Sequence, residues 1–250
     1  MGKKGRQRKP TSPAQRAVGR YLRCTRCYGF SFLSVVPLLV FYEVLCLAMR
    51  GRQRSVVHYL ADALLEDRMQ AIGGLGVFLW GSLVIGVFVF LGLWGLRQSK
   101  QPIRPLYLPI MVGEGGVWAI LLGLALNAVP PLMVAYPNAI MDTASKVAAA
   151  IHAGVYEELV FRVLLLGTLV LVFTRVRSFP RWAAYFLALL ISSIAFAVAH
   201  YFSLGRAPFD RHVFLLRQIG GVCFGLIYCL RGFGVAAYTH TLYDLFVSFS

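Results

Sequence analysis

The chain has 250 residues, of which 58% are hydrophobic and 14% charged, with 25 Lys and Arg against 10 Asp and Glu for a formal net charge of +15. Soluble domains are about 45–50% apolar even with Gly counted and about 25% charged, so this composition excludes a soluble globular enzyme. Nine of the 25 positive residues fall within residues 1–26, a stretch without a single acid. Such a tail suits an anionic lipid surface, and no nucleic-acid partner is expected.

In chain order, the first element is this basic tail, residues 1–29. Cys24 and Cys27 are spaced like half of a zinc knuckle, but no second Cys or His pair follows at ligand spacing. The five Cys are an odd number and three of them lie in apolar runs, so no disulfide framework is implied. Crossing a hydrocarbon core takes about 20 residues. Seven stretches meet or approach that length: Phe30–Met49, Ala71–Leu96, Ile110–Tyr136, Val147–Phe173, Trp182–Phe202, Val213–Leu230 and Phe233–Phe249. Only Arg231-Gly232 separates the last two, which predicts a tight hairpin or a tilted helix. Residues 55–68 mix apolar and charged side chains at helical spacing and are expected to lie in the interface. The fold expected is an all-α, multi-pass transmembrane bundle of about seven spans, or eight.

Placing the N-terminus in the cytoplasm puts 16 Lys and Arg inside and 7 outside, with Arg162 and Arg217 within spans. The positive-inside rule therefore predicts a cytoplasmic N-terminus and, with seven crossings, an external C-terminus. The expected location is a bacterial plasma membrane, with membrane lipids as partners.

A charged side chain at mid-membrane costs a few kcal/mol at the least, so each one asks for a reason. The ionisable residues singled out in the spans are Glu43, Glu114, Glu157, Glu158, Arg162, His200, Arg217, His240 and Asp244. In Glu157-Glu158-x-x-x-Arg162, Glu158 and Arg162 are four apart and share a helix face, while Glu157 points about 100° away. A carboxylate left without a counter-charge suits general acid-base work near neutrality; the same trio also reads as a structural ion network. His200, ending Phe196-x-x-x-His200, taken alone reads as a satisfied core histidine. His240 and Asp244 are again four apart, a spacing that suits an Asp orienting an imidazole, two metal ligands, or a local hydrogen bond. Together, three helices of one bundle carry two Glu, one Arg, two His and one Asp, and inward-facing ionisable residues that meet form a site.

The ordered set Glu157-Glu158-x-x-x-Arg162, Phe196-x-x-x-His200 and His240-x-x-x-Asp244 resembles the three signature motifs of the CAAX prenyl protease and bacteriocin-processing (CPBP) family, intramembrane proteases that include the Ras-converting endopeptidase. The resemblance covers about residues 146–250 and implies a catalytic transmembrane core there; residues 30–145 read as N-terminal transmembrane helices from hydropathy alone. It implies a polar cavity within the membrane and an endopeptidase acting on a peptide or lipidated protein, CAAX-type prenylated or otherwise membrane-associated. It makes Glu157 and His200 the activators of water, His240 and Asp244 the oxyanion stabilisers, and Glu158, Arg162 and Phe196 the groups that orient the site. A metal-free mechanism is favoured; were zinc used, Glu157, His200 and His240 would be its ligands. Ionised Asp244 would repel an oxyanion, so it either accepts from His240 or is protonated. The prenyl-protein proteases of the family open to the cytosol, whereas the charge count places His200 near the outer end of its span. Two other classes share the residue set: a proton- or ion-coupled transporter, and a catalytically inactive immunity or scaffold protein.

Overall fold

A computed structural model describes residues 12–49, 74–100, 102, 104–127, 142–176, 179–203 and 209–249. The expected interfacial segment 55–68 and the last part of the expected third span, residues 128–136, lie outside the described residues. Among those described, every regular element is helical: α1 (Pro13–Arg26), α2 (Tyr28–Ala48), α3 (Gly74–Ser99), α4 (Tyr107–Asn127), α5 (Thr143–His152), α6 (Gly167–Arg175), α7 (Arg181–Ser203), α8 (Arg211–Arg231) and α9 (Phe233–Phe249). Five of these, α2, α3, α4, α7 and α8, are long and apolar enough to cross a membrane. Their large apolar side chains point outward as often as inward: Phe90, Val117, Leu124 and Phe186 are all more than half exposed. In a lipid solvent that is the expected arrangement, because hydrocarbon outside the bundle is as apolar as its interior.

Hydrogen bonds fix which helix ends sit together. Cys27 at the start of α2 lies 3.0 Å, Sγ to Oγ, from Ser99 at the end of α3. At the opposite end, Ser145 of α5 contacts the Met49 sulfur at 3.6 Å, and the Lys146 ammonium donates to the Ser248 carbonyl at 3.0 Å. α2 and α3 therefore run antiparallel, and α5 begins at the end where α2 and α9 finish.

The fourth expected span departs from a plain α-helix. Between α5 and α6 the backbone runs through π-helical turns at Ala153–Glu157 and Leu159–Leu166. Here α9 presses close: a Cβ added at Gly154 would stand 2.6 Å from the Thr241 nitrogen and 2.9 Å from the Ala237 oxygen. Wide π turns inside α-helices recur at functional sites, where they re-aim consecutive side chains. The α8–α9 corner is the tight hairpin expected, made by Gly232 at φ 89°, a left-handed conformation that favours glycine. Packed against α2, α4, α5, α8 and the first π turn, α9 has every residue from Phe233 to Thr241 buried. It has 17 residues and is the core helix of the bundle.

α1 opens with a capping box in which Ser12 Oγ accepts from the Gln15 nitrogen and Gln15 Oε1 accepts from the Ser12 nitrogen. Its Tyr21 and Thr25 hydroxyls join a polar cluster that ties α1 to α4 and α8. Arg231 makes a bidentate pair with Glu114 at 2.5 and 2.8 Å and donates to Thr25 Oγ1 at 3.0 Å, while the Tyr21 hydroxyl donates to Glu114 at 2.5 Å. Burial, and then the Glu114 carboxylate, push the Tyr21 phenol well above its ordinary pKa. This assigns Glu114, which the sequence left without a partner. Arg217 stacks its guanidinium 5.4 Å over the Tyr201 ring, and the Glu43 side chain fills the space left by Gly81.

Removing one member of a largely buried ion pair strands the other charge. Glu114→Gln is expected to lower unfolding free energy by about 3 kcal/mol. The Glu114→Gln/Arg231→Gln double variant should recover part of that loss in denaturant melts in detergent.

Candidate active site

Three elements deliver the motif residues to one place. Glu157 ends the first π turn, Glu158 stands between the two and Arg162 lies in the second; α7 carries Phe196 and His200; α9 carries His240 and Asp244. Their side chains converge in the half of the bundle remote from α1. Glu158 and Arg162 have no exposed surface, and Glu157, His200 and His240 are buried.

Glu158 is the hub. One oxygen, Oε1, lies 3.0 Å from Arg162 Nη1 and 2.9 Å from His240 Nδ1. Arg162 also donates from Nη2 to the Gly221 carbonyl of α8 at 3.2 Å. Its guanidinium lies 4.3 Å over the Phe196 ring, with Phe224 at 5.6 Å and Phe161 at 6.0 Å. Ring faces present their negative quadrupole to a cation, so this aromatic cage stabilises an arginine that has lost all its water. Phe196 also meets the His200 ring edge-on at 4.7 Å, and Phe224 lies parallel to the His240 ring at 4.2 Å and 19°.

Both imidazoles are fixed through Nδ1. His200 Nδ1 is 2.8 Å from the Phe196 carbonyl, which can only accept, so this nitrogen carries a proton. His240 Nδ1 likewise donates to the Glu158 carboxylate. The two Nε2 atoms face the remaining carboxylate: His200 Nε2 is 3.8 Å from Glu157 Oε1, and His240 Nε2 is 3.9 Å from Glu157 Oε2. Both separations exceed direct hydrogen-bonding distance. Glu157 Oε2 accepts no hydrogen bond among the described residues.

The site thus contains all seven side chains singled out from the motifs, with one rearrangement. Asp244 does not hold the imidazole at Nδ1, because Glu158 occupies that nitrogen. Asp244 Oδ2 instead lies 3.6 Å from His240 Nε2, on the side that faces Glu157. Phe224 and Gly221 belong to the site without any sequence signal, being an aromatic and a glycine in an apolar span. His152 is a further buried imidazole absent from the sequence-based set, stacked on Tyr156 at 4.6 Å and beside Tyr42.

Zinc takes imidazole and carboxylate donors of the kind found here. Among the described residues, however, no three His, Cys, Asp or Glu side chains converge as a set for one ion. Glu157, His200 and His240 sit around a common point without forming a tight ligand triangle.

No curated protein and no solved structure matches the chain. Residues 140–246 do match a protein family, that of the Rce1-like type II CAAX prenyl endopeptidases. The matched stretch contains the π turns, α7, α8 and nearly all of α9, and so every residue of the buried cluster. By that match, residues 140–246 are similar to the CAAX prenyl endopeptidases, a family of membrane proteases.

Proposed function

We propose that the chain hydrolyses a peptide bond within the membrane by means of a water molecule activated between Glu157 and His200. The observation that carries this reading is the disposition of acceptors. With its proton on Nδ1, neutral His200 offers a lone pair at Nε2, and Glu157 offers carboxylate oxygens across 3.8 Å. Two acceptors facing each other are reconciled by a species that donates two hydrogens, and water is that species.

Such a water donates one hydrogen to each acceptor and turns its lone pair toward the scissile carbonyl. As oxygen attacks carbon, its proton passes to Glu157 and the carbonyl becomes a tetrahedral oxyanion. His240, its Nδ1–H held by Glu158, meets the oxyanion with Nε2–H as an imidazolium, and Asp244 at 3.6 Å balances that charge. The intermediate then collapses, the carbon–nitrogen bond breaks, and Glu157 returns its proton to the leaving amine. Glu158, Arg162, Phe196 and Phe224 act through His240 and His200 by fixing their rings. All of these steps use the chain's own groups.

The substrate class follows from the family, whose members act on prenylated or membrane-associated substrates. A CAAX-type prenylated or otherwise lipid-anchored peptide meets the needs of a site enclosed in apolar helices. Orientation rests on charge. Arg16, Arg20, Arg23, Arg26, Arg97, Lys100, Arg104, Arg175 and Arg181 all lie at the α1 end of the described helices. That end is assigned to the cytoplasm of a bacterial cell, with seven crossings, counting the helix from α5 through α6 and α9 as two of them. The catalytic groups then lie in the outer half of the bilayer.

Purified protein with Glu157→Gln should cleave a farnesylated CAAX peptide about 10²–10⁴-fold more slowly than the parent. His240→Ala should lose about 10²–10³-fold; undiminished cleavage by either variant rejects its role. Prolonged incubation with a strong chelator is expected to leave the rate unchanged, whereas loss restored by zinc would replace the metal-free mechanism. For orientation, an impermeant maleimide added to whole cells should label Phe209→Cys and spare Lys100→Cys, and the reverse pattern would invert the topology.

A further inference from the structure

A cavity of about 340 Å³ opens at the α1 end of the bundle between α1, α2, the second π turn, α6, α7, α8 and the start of α9. Its walls include Phe32, Val163, Leu166 and Val170. Along their helix, Val163 to Val170 stand 6 to 13 positions beyond Glu157, roughly 9–20 Å at helical rise. The Glu158–Arg162 pair lies between the cavity and the catalytic carboxylate.

The polar part of the lining is made almost wholly of donors. Arg26, Tyr28, Tyr185 and Tyr228 line the cavity, and no Asp or Glu does. Among the described residues the Arg26 guanidinium makes no ion pair or hydrogen bond, nor does any of the three tyrosine hydroxyls. The Tyr228 hydroxyl reaches the wall itself: a Cβ added at Gly167 would stand 3.8 Å from its oxygen. Tyr28 and Tyr185 are 43% and 50% exposed and mark the mouth. A guanidinium and phenols with unspent donors at the edge of an apolar chamber, at the basic end of a membrane bundle, complement an anion that carries hydrocarbon.

We propose that this cavity binds one anionic phospholipid, its phosphate on Arg26 and the tyrosine hydroxyls and the start of one acyl chain against Phe32 and Leu166. The ligand is a lipid rather than free phosphate because the apolar walls are part of the site. The site depends on the membrane reading of the fold and not on the peptidase chemistry.

The test uses the full chain reconstituted in phosphatidylcholine vesicles doped with phosphatidylglycerol, followed by mass spectrometry of the protein released intact in detergent. One phosphatidylglycerol per chain should remain bound, and no phosphatidylcholine. Arg26→Gln should weaken retention about tenfold and Tyr228→Phe about fivefold, as expected for one charge-assisted and one neutral hydrogen bond. Gly167→Leu should abolish retention by filling the chamber. Arg20→Gln, an exposed α1 residue outside the lining, should bind as the parent does, and so should the inactive Glu157→Gln. Equal retention of both lipids, equal loss with Arg20→Gln, or displacement by inorganic phosphate alone would overturn the proposal. One-for-one displacement by a farnesylated peptide would do the same, by making the cavity part of the substrate path. Should Gly167→Leu fail to fold, Arg26→Gln and Tyr228→Phe decide the outcome.

Discussion

Glu158 sits with no exposed surface among apolar helices, and its partners organise the region around it. A buried carboxylate is tolerable only when its charge is matched, and on Glu158 both partners meet Oε1 while Oε2 accepts no hydrogen bond among the described residues. Arg162 supplies the counter-charge from the same helix, and His240 supplies a second donor from α9. Arg162 in turn needs partners, and finds them in the Gly221 carbonyl and the faces of Phe196 and Phe224. From one buried charge follow the positions of α7, α8 and α9 relative to the π turns. The two imidazoles take their orientation within this frame, so that both turn Nε2 toward Glu157, one residue along, at 3.8 and 3.9 Å.

Little of this assembly rests on the hydrophobic effect. Between helices in lipid, apolar contact replaces apolar contact, and association depends on close packing and on polar groups that find each other. The Glu114–Arg231–Tyr21 cluster acts in this way at the α1 end, as the Glu158 hub does in the other half. A glycine at position 154 and another at 232 let α9 run through the centre, where the helix contributes His240 to the candidate site. One polar knot joins α1, α4 and α8, and the other ties α9 to the π turns.

The sequence exposed the parts of the site that are chemically out of place. Glu157, Glu158, Arg162, His200, His240 and Asp244 are conspicuous in apolar spans, and the i, i+4 spacing of Glu158 and Arg162 foretold their pair. The i, i+4 proximity of His240 and Asp244 was equally visible and the two side chains do meet at 3.6 Å, whereas the second partner of His240, Glu158, appears only when α9 meets the π turns. Phe224 was illegible for the opposite reason: in a span filled with Leu, Ile and Phe, nothing sets apart the one ring that covers His240. His152 was in view as an ionisable residue but belonged to no motif. The helical class of the fold was plain from hydropathy, yet hydropathy cannot register a π turn, since widening a helix leaves its composition unchanged.

That widening has a consequence for the chain's tolerance of length changes. A π turn accommodates one more residue than an α turn over the same axial distance, so the segment before Glu157 and the segment after Leu166 are out of phase with a continuous α-helix. Loss of a single residue in this stretch would relax the backbone toward ordinary α geometry and rotate one half against the other by about 100°. Glu157 would swing away from the imidazoles while every apolar residue still found an apolar neighbour. Outside Gly154, Glu157, Glu158 and Arg162, the stretch therefore tolerates apolar substitution better than deletion, and its register is itself part of the candidate site.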